Sequence, residues 1–159
     1  MKDIKEMLSS EGFEGFVNVK DLKENFTAAA VPAVEGVYVV LRLKGSAPVF
    51  LEEGTGGFFK GKNPNVTTDV LDSNWVDGEP VLYIGKAKSL SKRLKQYMQF
   101  GGGKPVGHYG GRYIWQLKDS DELIVCWRCV GNSLAVEASM IADFKDSHCG
   151  LRPFANLKG

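Results

Sequence analysis

Apolar residues follow two different periods along the chain, and these periods predict a mixture of strands and helices. Residues 36–43 form an almost continuous apolar and β-branched run, which is typical of a strand. Residues 80–84 have the same character and predict a strand that ends at Gly85, where a tight turn into a helix is expected. Two further strands are predicted, one around residues 112–117 and one over residues 122–130.

Two helices are predicted from helical spacing that follows a capping residue. Ser89 is a suitable N-terminal cap for a helix over residues 90–100. Asn132 or Ser133 is a suitable cap for a second helix over residues 134–147. A glycine follows each predicted helix, which is a common way for a helix to end.

The interleaved strands and helices indicate an α+β or a small α/β class. Residues 1–31 are predicted to be a peripheral segment, with a short helix first and a short strand or turn after Gly15. Residues 32–159 are assigned to one domain. Within it, residues 44–80 are rich in Gly, Pro, Asn and Asp, which predicts an inserted lobe on the surface.

Basic residues are concentrated in one stretch, although the formal net charge is only +1. Residues 81–118 contain eight basic and no acidic residues, whereas the rest of the chain contains twelve basic and nineteen acidic residues. A basic block on an otherwise acidic chain is the pattern expected for a site that binds a polyanion. An ordinary basic surface is the alternative interpretation.

Several other classes of function are disfavoured by the sequence. No apolar run has the length that spans a membrane, and the first ten residues mix charged and apolar residues, unlike a secretory signal. Three cysteines give no disulfide framework, and we expect a reducing cytoplasm. Cys126 and Cys129 should face opposite sides of a strand, so they do not predict a shared metal ion. Residues 56–62 have the spacing of a nucleotide-phosphate loop, but Asn63 follows them instead of Ser or Thr, so no nucleotide cofactor is expected.

An acidic residue among apolar neighbours on the second helix is the most informative single position. At about 100° per residue, Glu137 falls on the apolar arc formed by Leu134, Ala138, Met140, Ile141 and Phe144. A carboxylate on such an arc is expected to be neutral, paired with a basic side chain, or bound to a cation. Pairing with an arginine is the structural alternative, and a metal ion is the better interpretation if basic residues and a phosphate converge nearby.

The first helix and the strand before it supply phenolic and basic groups. Arg93 and Tyr97 are four residues apart and therefore share one face of the helix. Tyr83 lies near the end of the predicted strand, and Lys86 follows it close to the helix N-terminus, which favours an anion. Taken singly, each of these residues is also compatible with an ordinary structural role.

Together, these residues resemble the signature of the GIY-YIG nuclease superfamily. The chain has Gly-Val-Tyr at residues 36–38 and Tyr-Ile-Gly at residues 83–85, and residues 86–97 are similar to the N-terminal incision domain of the bacterial excision-repair endonuclease UvrC. Glu137 and Asn156 follow in the order that the family uses. The resemblance runs from about residue 32 to residue 156.

The resemblance implies an α+β fold with a small, mostly antiparallel central sheet of about three core strands flanked by helices. It also implies an endonuclease that hydrolyses DNA phosphodiester bonds with one divalent ion, Mg²⁺ or Mn²⁺. By position, Glu137 would hold the metal ion, and Arg93 would stabilise charge on the scissile phosphate. Supporting roles at the phosphate and in the geometry of the site would fall to Lys86, Tyr97 and Asn156.

The base of the implied reaction stays open at this stage. Tyr83 or Tyr38 would orient or deprotonate the attacking water, but a free tyrosine, with a pKa of about 10, is a poor base near neutrality. Many members of the family carry histidine where this chain has Tyr97. The base is therefore Tyr83, Tyr38 or a metal-bound water.

The expected partner is DNA, with RNA left open, and contacts are expected from the basic stretch at Lys88, Lys92, Lys95, Lys104, His108 and Arg112. The alternative function is a nucleic-acid-binding module of the same fold whose chemistry is idle. The family separates its two tripeptides by a short turn, whereas residues 39–82 intervene here. The role of that insertion, the pathway and the oligomeric state are not determined by the sequence.

Overall fold

Four antiparallel strands form one sheet in the computed structural model, which describes residues 3–158 and only the backbone of Tyr109. The strands are β1 (Glu14–Asn18), β2 (Gly36–Leu41), β3 (Val81–Ala87) and β4 (Ile124–Cys129), and their spatial order is β1-β4-β2-β3. All three pairings between neighbouring strands are antiparallel. The protein is therefore α+β with an antiparallel sheet flanked by helices, and the sheet has one strand more than the three expected.

The helices lie before, between and after these strands. They are α1 (Ile4–Ser10), α2 (Val19–Glu24), α3 (Thr68–Asn74), α4 (Leu90–Gly101) and α5 (Ser133–Ser147). Three segments are 3₁₀ helices, namely Phe26–Ala29, Tyr109–Gln116 and Ser120–Glu122. None of the helices within residues 3–158 has the length and apolar character that crossing a membrane requires.

The sheet is covered on both faces, which explains the unbroken apolar run of its central strand. All six residues of β2 are buried. Tyr38 and Val40 face a core cluster that includes Leu90 and Leu94 of α4, together with Trp115. Val37, Val39 and Leu41 face a second cluster that includes Ile141 and Phe144 of α5 and Leu8 of α1. Alternating residues of β2 thus serve two layers of helices.

Residues 3–31, which were expected to be peripheral, contribute one strand to the sheet and buried side chains to the core. Strand β1 pairs along β4, with Glu14 opposite Trp127 and Asn18 opposite Ile124. Val19 and Leu22 of α2 are fully buried in the cluster that contains Tyr38. Without β1, β4 would have an open edge, which is a common site of aggregation.

The inserted lobe, residues 44–80, packs against the Tyr109–Gln116 helix. The buried Gln116 amide donates to the carbonyls of Leu51 (3.0 Å) and Val66 (2.8 Å) and accepts from the Val66 N–H (2.9 Å). Trp75 packs edge-on against Phe154 with ring centroids 5.0 Å apart. The lobe is therefore tied to the domain by buried polar and aromatic contacts.

One expected strand and the expected end of another are wrong for identifiable reasons. Residues 112–117 belong largely to a 3₁₀ helix, because a short buried apolar run does not distinguish a strand from a helical turn. Strand β3 continues through Gly85 to Ala87. A Cβ atom at Gly85 would lie 2.4 Å from Cζ of Tyr38, so glycine there lets the Tyr38 ring pack on the strand and does not form a turn.

The two long helices begin where expected, although only one of them has the expected cap. The Ser89 hydroxyl accepts from the Lys92 N–H at the start of α4 (3.4 Å). At α5, the Asn132 side chain makes no capping hydrogen bond; both the N–H and the hydroxyl of Ser133 donate to the Glu35 carboxylate instead. Leu134 and Ala138 are exposed, so the buried arc of α5 is narrower than the spacing suggested.

Candidate active site

A cavity of about 600 Å³ opens where β3, α5 and the C-terminal segment meet. Strand β3 contributes Tyr83 and Lys86 to its wall, α5 contributes Glu137, and the segment after α5 contributes Asn156. Arg112 also lines this cavity. The fold thus brings together residues that are up to 73 positions apart in the sequence (83 to 156).

Glu137 is half-buried and makes a loose ion pair with Lys86. Its side chain is 19% exposed, that of Lys86 is 43% exposed, and Lys86 Nζ lies 3.7 Å from Oε1. Burial raises the pKa of the Glu137 carboxyl, and the nearby Lys86 ammonium offsets part of this effect. A long, partly exposed pair of this kind stabilises a protein little, so the carboxylate is open to another cation.

A second cavity of about 470 Å³ adjoins the first across Lys86, which lines both. Arg93 lines this second cavity together with Lys88 and Lys92. The guanidinium of Arg93 donates to the Gly107 carbonyl at 3.3 Å. The expected arginine and carboxylate therefore belong to adjacent depressions with one lysine between them.

Three tyrosines cluster beside these cavities. The ring centroids of Tyr38, Tyr83 and Tyr97 are 5.7–6.3 Å apart. Tyr83 lines the cavity that contains Glu137, whereas Tyr38 and Tyr97 are almost fully buried. Of the two tyrosines expected to act on the water, Tyr83 is the one that lines this cavity.

Burial raises the pKa of all three phenols. For Tyr83, a hydrogen bond from Tyr38 and the positive charge of Arg93 act in the opposite direction but do not reverse the shift. The three hydroxyls therefore keep their protons near neutral pH in the absence of a ligand.

Asn156 holds the edge of the sheet in place. Its Oδ1 accepts from the Ile84 N–H and its Nδ2 donates to the Ile84 carbonyl, each at 2.9 Å. Because β3 is an edge strand, these two backbone groups would otherwise lack a partner on that side. Asn156 therefore acts on the geometry of the site through the strand that carries Tyr83.

His108 is buried, although a position on the surface that contacts nucleic acid was expected. Only 1% of the residue is exposed, its Nε2 lies 3.0 Å from the Tyr38 hydroxyl, and its ring stacks on Tyr97. The sequence placed His108 in a basic, glycine-rich stretch and contained no signal that this loop folds inward over the tyrosines.

The other basic residues expected to bind nucleic acid divide between separate surfaces. Lys88 and Lys92 are exposed beside Arg93, and Arg112 lies at the cavity that contains Glu137. Lys95 and Lys104 line a third, smaller depression together with Lys23. A basic residue that was not anticipated, Lys145, lines the Glu137 cavity; its spacing of eight residues from Glu137 on α5 is the signal that could have revealed it.

A metal ion at this site would have a single carboxylate. Within residues 3–158, no group of three or more His, Cys, Asp or Glu side chains is arranged to hold a metal ion. Mg²⁺ commonly uses one or two carboxylates and keeps several waters, so the partly exposed Glu137 in a roomy cavity fits such an ion. Cys126 is buried and Cys129 is exposed, so the two cysteines of β4 face opposite sides of the strand, as their spacing predicts.

Comparison of the chain with protein-family models, with curated proteins and with solved structures finds no match.

Proposed function

We propose that this protein is a metal-dependent endonuclease that hydrolyses phosphodiester bonds in DNA. The observation that supports this function best is the meeting of a half-buried carboxylate, a lysine and a phenol, Glu137, Lys86 and Tyr83, in one cavity. Arg93 lies in the adjoining cavity, beyond Lys86. A carboxylate can hold a metal ion, cationic groups stabilise the charge that develops on a phosphoryl group, and a phenol can hydrogen-bond a water molecule.

Each of these side chains has a role in the proposed reaction. Glu137 would hold Mg²⁺ or Mn²⁺, which supplies positive charge to the phosphate when bound. Lys86 and Arg93 stabilise the negative charge that builds on the phosphate oxygens as water attacks phosphorus and the bond to the leaving oxygen breaks. The attacking water releases its proton to solvent, and the leaving oxygen takes up a proton from solvent. Tyr83 keeps its proton near neutral pH and orients the attacking water by a hydrogen bond. Tyr38 and Asn156 hold Tyr83 and its strand in position.

The decisive experiment removes the charge of Glu137 while retaining its shape. Nicking of plasmid, branched DNA and RNA is measured with Mg²⁺ or Mn²⁺ for the wild type, Glu137→Gln and the control Asp143→Asn, which changes an exposed acid on the same helix. We expect about a 100-fold or larger loss of cleavage for Glu137→Gln, retained DNA binding, and wild-type cleavage for Asp143→Asn. Equal cleavage by Glu137→Gln and the wild type would contradict the assigned role.

A second candidate function is a nucleic-acid-binding module without catalysis. The ion pair between Lys86 and Glu137 is the observation that favours it, since Lys86 gives the carboxylate a cationic neighbour at 3.7 Å without a metal ion. Wild-type protein that binds DNA but does not cleave it with any divalent ion would support this second function. In both cases, Lys92→Ala should reduce the salt dependence of binding by about one unit of slope. Lys44→Ala, on a different cavity, should leave the slope unchanged.

A further inference from the structure

His108 is buried beside the tyrosine cluster and contacts two of its members, Tyr38 and Tyr97. Its Nε2 lies 3.0 Å from the Tyr38 hydroxyl oxygen. Its ring stacks on Tyr97, with centroids 3.8 Å apart and an angle of 13° between the planes. The other ring nitrogen, Nδ1, is buried and forms no hydrogen bond within the described part of the chain. A buried polar atom without a partner is costly, so some advantage is expected to offset it.

The loop that carries His108 is fastened to α4 at two points. Arg93 donates to the Gly107 carbonyl at 3.3 Å, and the Tyr97 hydroxyl donates to the Gly111 carbonyl at 2.6 Å. The two donors are four residues apart on the helix, and the two acceptors are four residues apart on the loop. The loop therefore follows the helix for one turn, with His108 held between the two attachments.

The His108 ring is neutral under ordinary conditions. Burial, followed by the positive charge of Arg93, lowers the pKa of His108 to about 3. The titratable groups that face it are Tyr38, Tyr83, Tyr97 and Arg93. A ring of such low basicity is a poor acceptor for a proton from water, but its neutral form has one donor and one acceptor nitrogen, so Nε2 can share a hydrogen bond with the Tyr38 hydroxyl in either tautomer.

We propose that His108 is a positioning residue that fixes the Arg93 guanidinium through Tyr38 and through its own loop. The hydrogen bond between His108 Nε2 and the Tyr38 hydroxyl fixes the position of that hydroxyl. Burial raises the pKa of the Tyr38 phenol, and the positive charge of Arg93 opposes this shift, so the phenol and the guanidinium act on one another. The adjacent carbonyl of Gly107 holds the guanidinium directly. The consequence for cleavage rests on the proposed function, whereas the positioning itself does not.

The positioning is tested without substrate or metal by nuclear magnetic resonance of ¹⁵N-labelled protein. The Nε–H signal of Arg93, assigned with Arg93→Lys, is compared in the wild type, His108→Phe and His108→Gln. Phe keeps an aromatic ring against Tyr97 but loses the hydrogen bond, whereas Gln keeps a polar group and loses the ring. We expect the Arg93 signal to shift in His108→Phe and to stay closer to its wild-type position in His108→Gln. An unchanged signal in His108→Phe would overturn the proposal.

The consequence is tested by single-turnover cleavage and by DNA binding. We expect His108→Phe to cleave about 10-fold to 100-fold more slowly, because small displacements of a positioning group have effects of this size. The dissociation constant for DNA should change less than twofold, and His108→Gln should recover part of the rate. His148→Phe is the matched control. His148 also stacks on an aromatic ring, that of Phe144, with centroids 3.9 Å apart, but its Nε2 contacts Glu79 instead of a tyrosine.

The outcomes separate the proposal from the proposed function. A folded His108→Phe variant that cleaves at the wild-type rate overturns the proposal even if cleavage itself is confirmed. A packing role for the ring predicts the opposite order, with His108→Phe active and His108→Gln impaired, and this order also overturns it. If the wild type cleaves nothing, the proposed function fails, and the Arg93 signal still decides whether His108 positions the guanidinium.

Discussion

Replacement of Asn156 by alanine tests whether this residue holds the edge of the sheet. The variant Asn156→Ala removes two hydrogen bonds of 2.9 Å and leaves the N–H and the carbonyl of Ile84 without their partner. An unsatisfied buried polar group costs about 1–3 kcal/mol. Asn156 lines the cavity, so water can reach part of the exposed backbone, and the lower part of the range applies to each group. We expect a loss of about 2–3 kcal/mol in the free energy of unfolding.

The loss is measured by urea denaturation followed through tryptophan fluorescence, with thermal unfolding as a second measurement. For a chain of this size, the expected decrease in Tm is roughly 4–12 °C. The matched control is Asn132→Ala, which removes an exposed asparagine whose side chain makes no capping hydrogen bond. It should change the free energy of unfolding by less than about 0.5 kcal/mol. If both variants unfold at the wild-type urea concentration, Asn156 does not hold β3, and its role must lie in direct contact with the substrate.

Three further predictions concern the tyrosine cluster, the carboxylate and the lobe. Gly85→Ala places a Cβ atom 2.4 Å from Tyr38 Cζ, and we expect a loss of about 1–3 kcal/mol in urea denaturation, whereas Gly45→Ala, with no atom within 4 Å of its Cβ, should have no such effect. Burial raises the pKa of the Glu137 carboxyl above 4.5, so its contribution to the stability of the folded protein is full below pH 4.5 and is lost as the pH rises through the raised pKa. Without metal, the Tm of Glu137→Gln should therefore increase relative to that of the wild type between pH 4 and pH 8. A difference in Tm that stays constant over this range would refute the prediction. Gln116→Ala removes the buried amide that binds the lobe backbone. Relative to the wild type, we therefore expect amide hydrogen exchange to become faster across residues 44–80 than it does in β2. Equal exchange rates of residues 44–80 in the variant and the wild type would refute the anchoring role.

Features that depend on neighbours in the sequence could be predicted from the sequence. The β-branched run of β2 and the spacing of α4 after Ser89 follow from local preferences, because a strand or a helix repeats the same contact every few residues. For the same reason, the shared face of Arg93 and Tyr97 was predictable, and both residues do hold one loop. The half-buried position of Glu137 on α5 was indicated by helical spacing and is confirmed by the structure.

Features that depend on pairing between distant segments could not be predicted in this way. The sequence does not reveal that β1 belongs to the sheet, because its five residues have weak strand character and their partner strand, β4, is more than a hundred positions away. The sequence also predicts a strand in the apolar stretch that forms part of the 3₁₀ helix Tyr109–Gln116, because burial on all sides hides the period that distinguishes a strand from a helix.

The sequence by itself determined which chemical groups the protein has and which local elements carry them: a carboxylate on one helix, a guanidinium on another and phenols on two strands. Only the tertiary structure decided which of these groups meet. It placed Lys86 against Glu137, separated Arg93 into the adjoining cavity, and turned His108 from the surface to the tyrosines. The physical reason is that local preferences act within a few residues, whereas a site forms where long-range packing brings distant side chains within a few ångströms of one another.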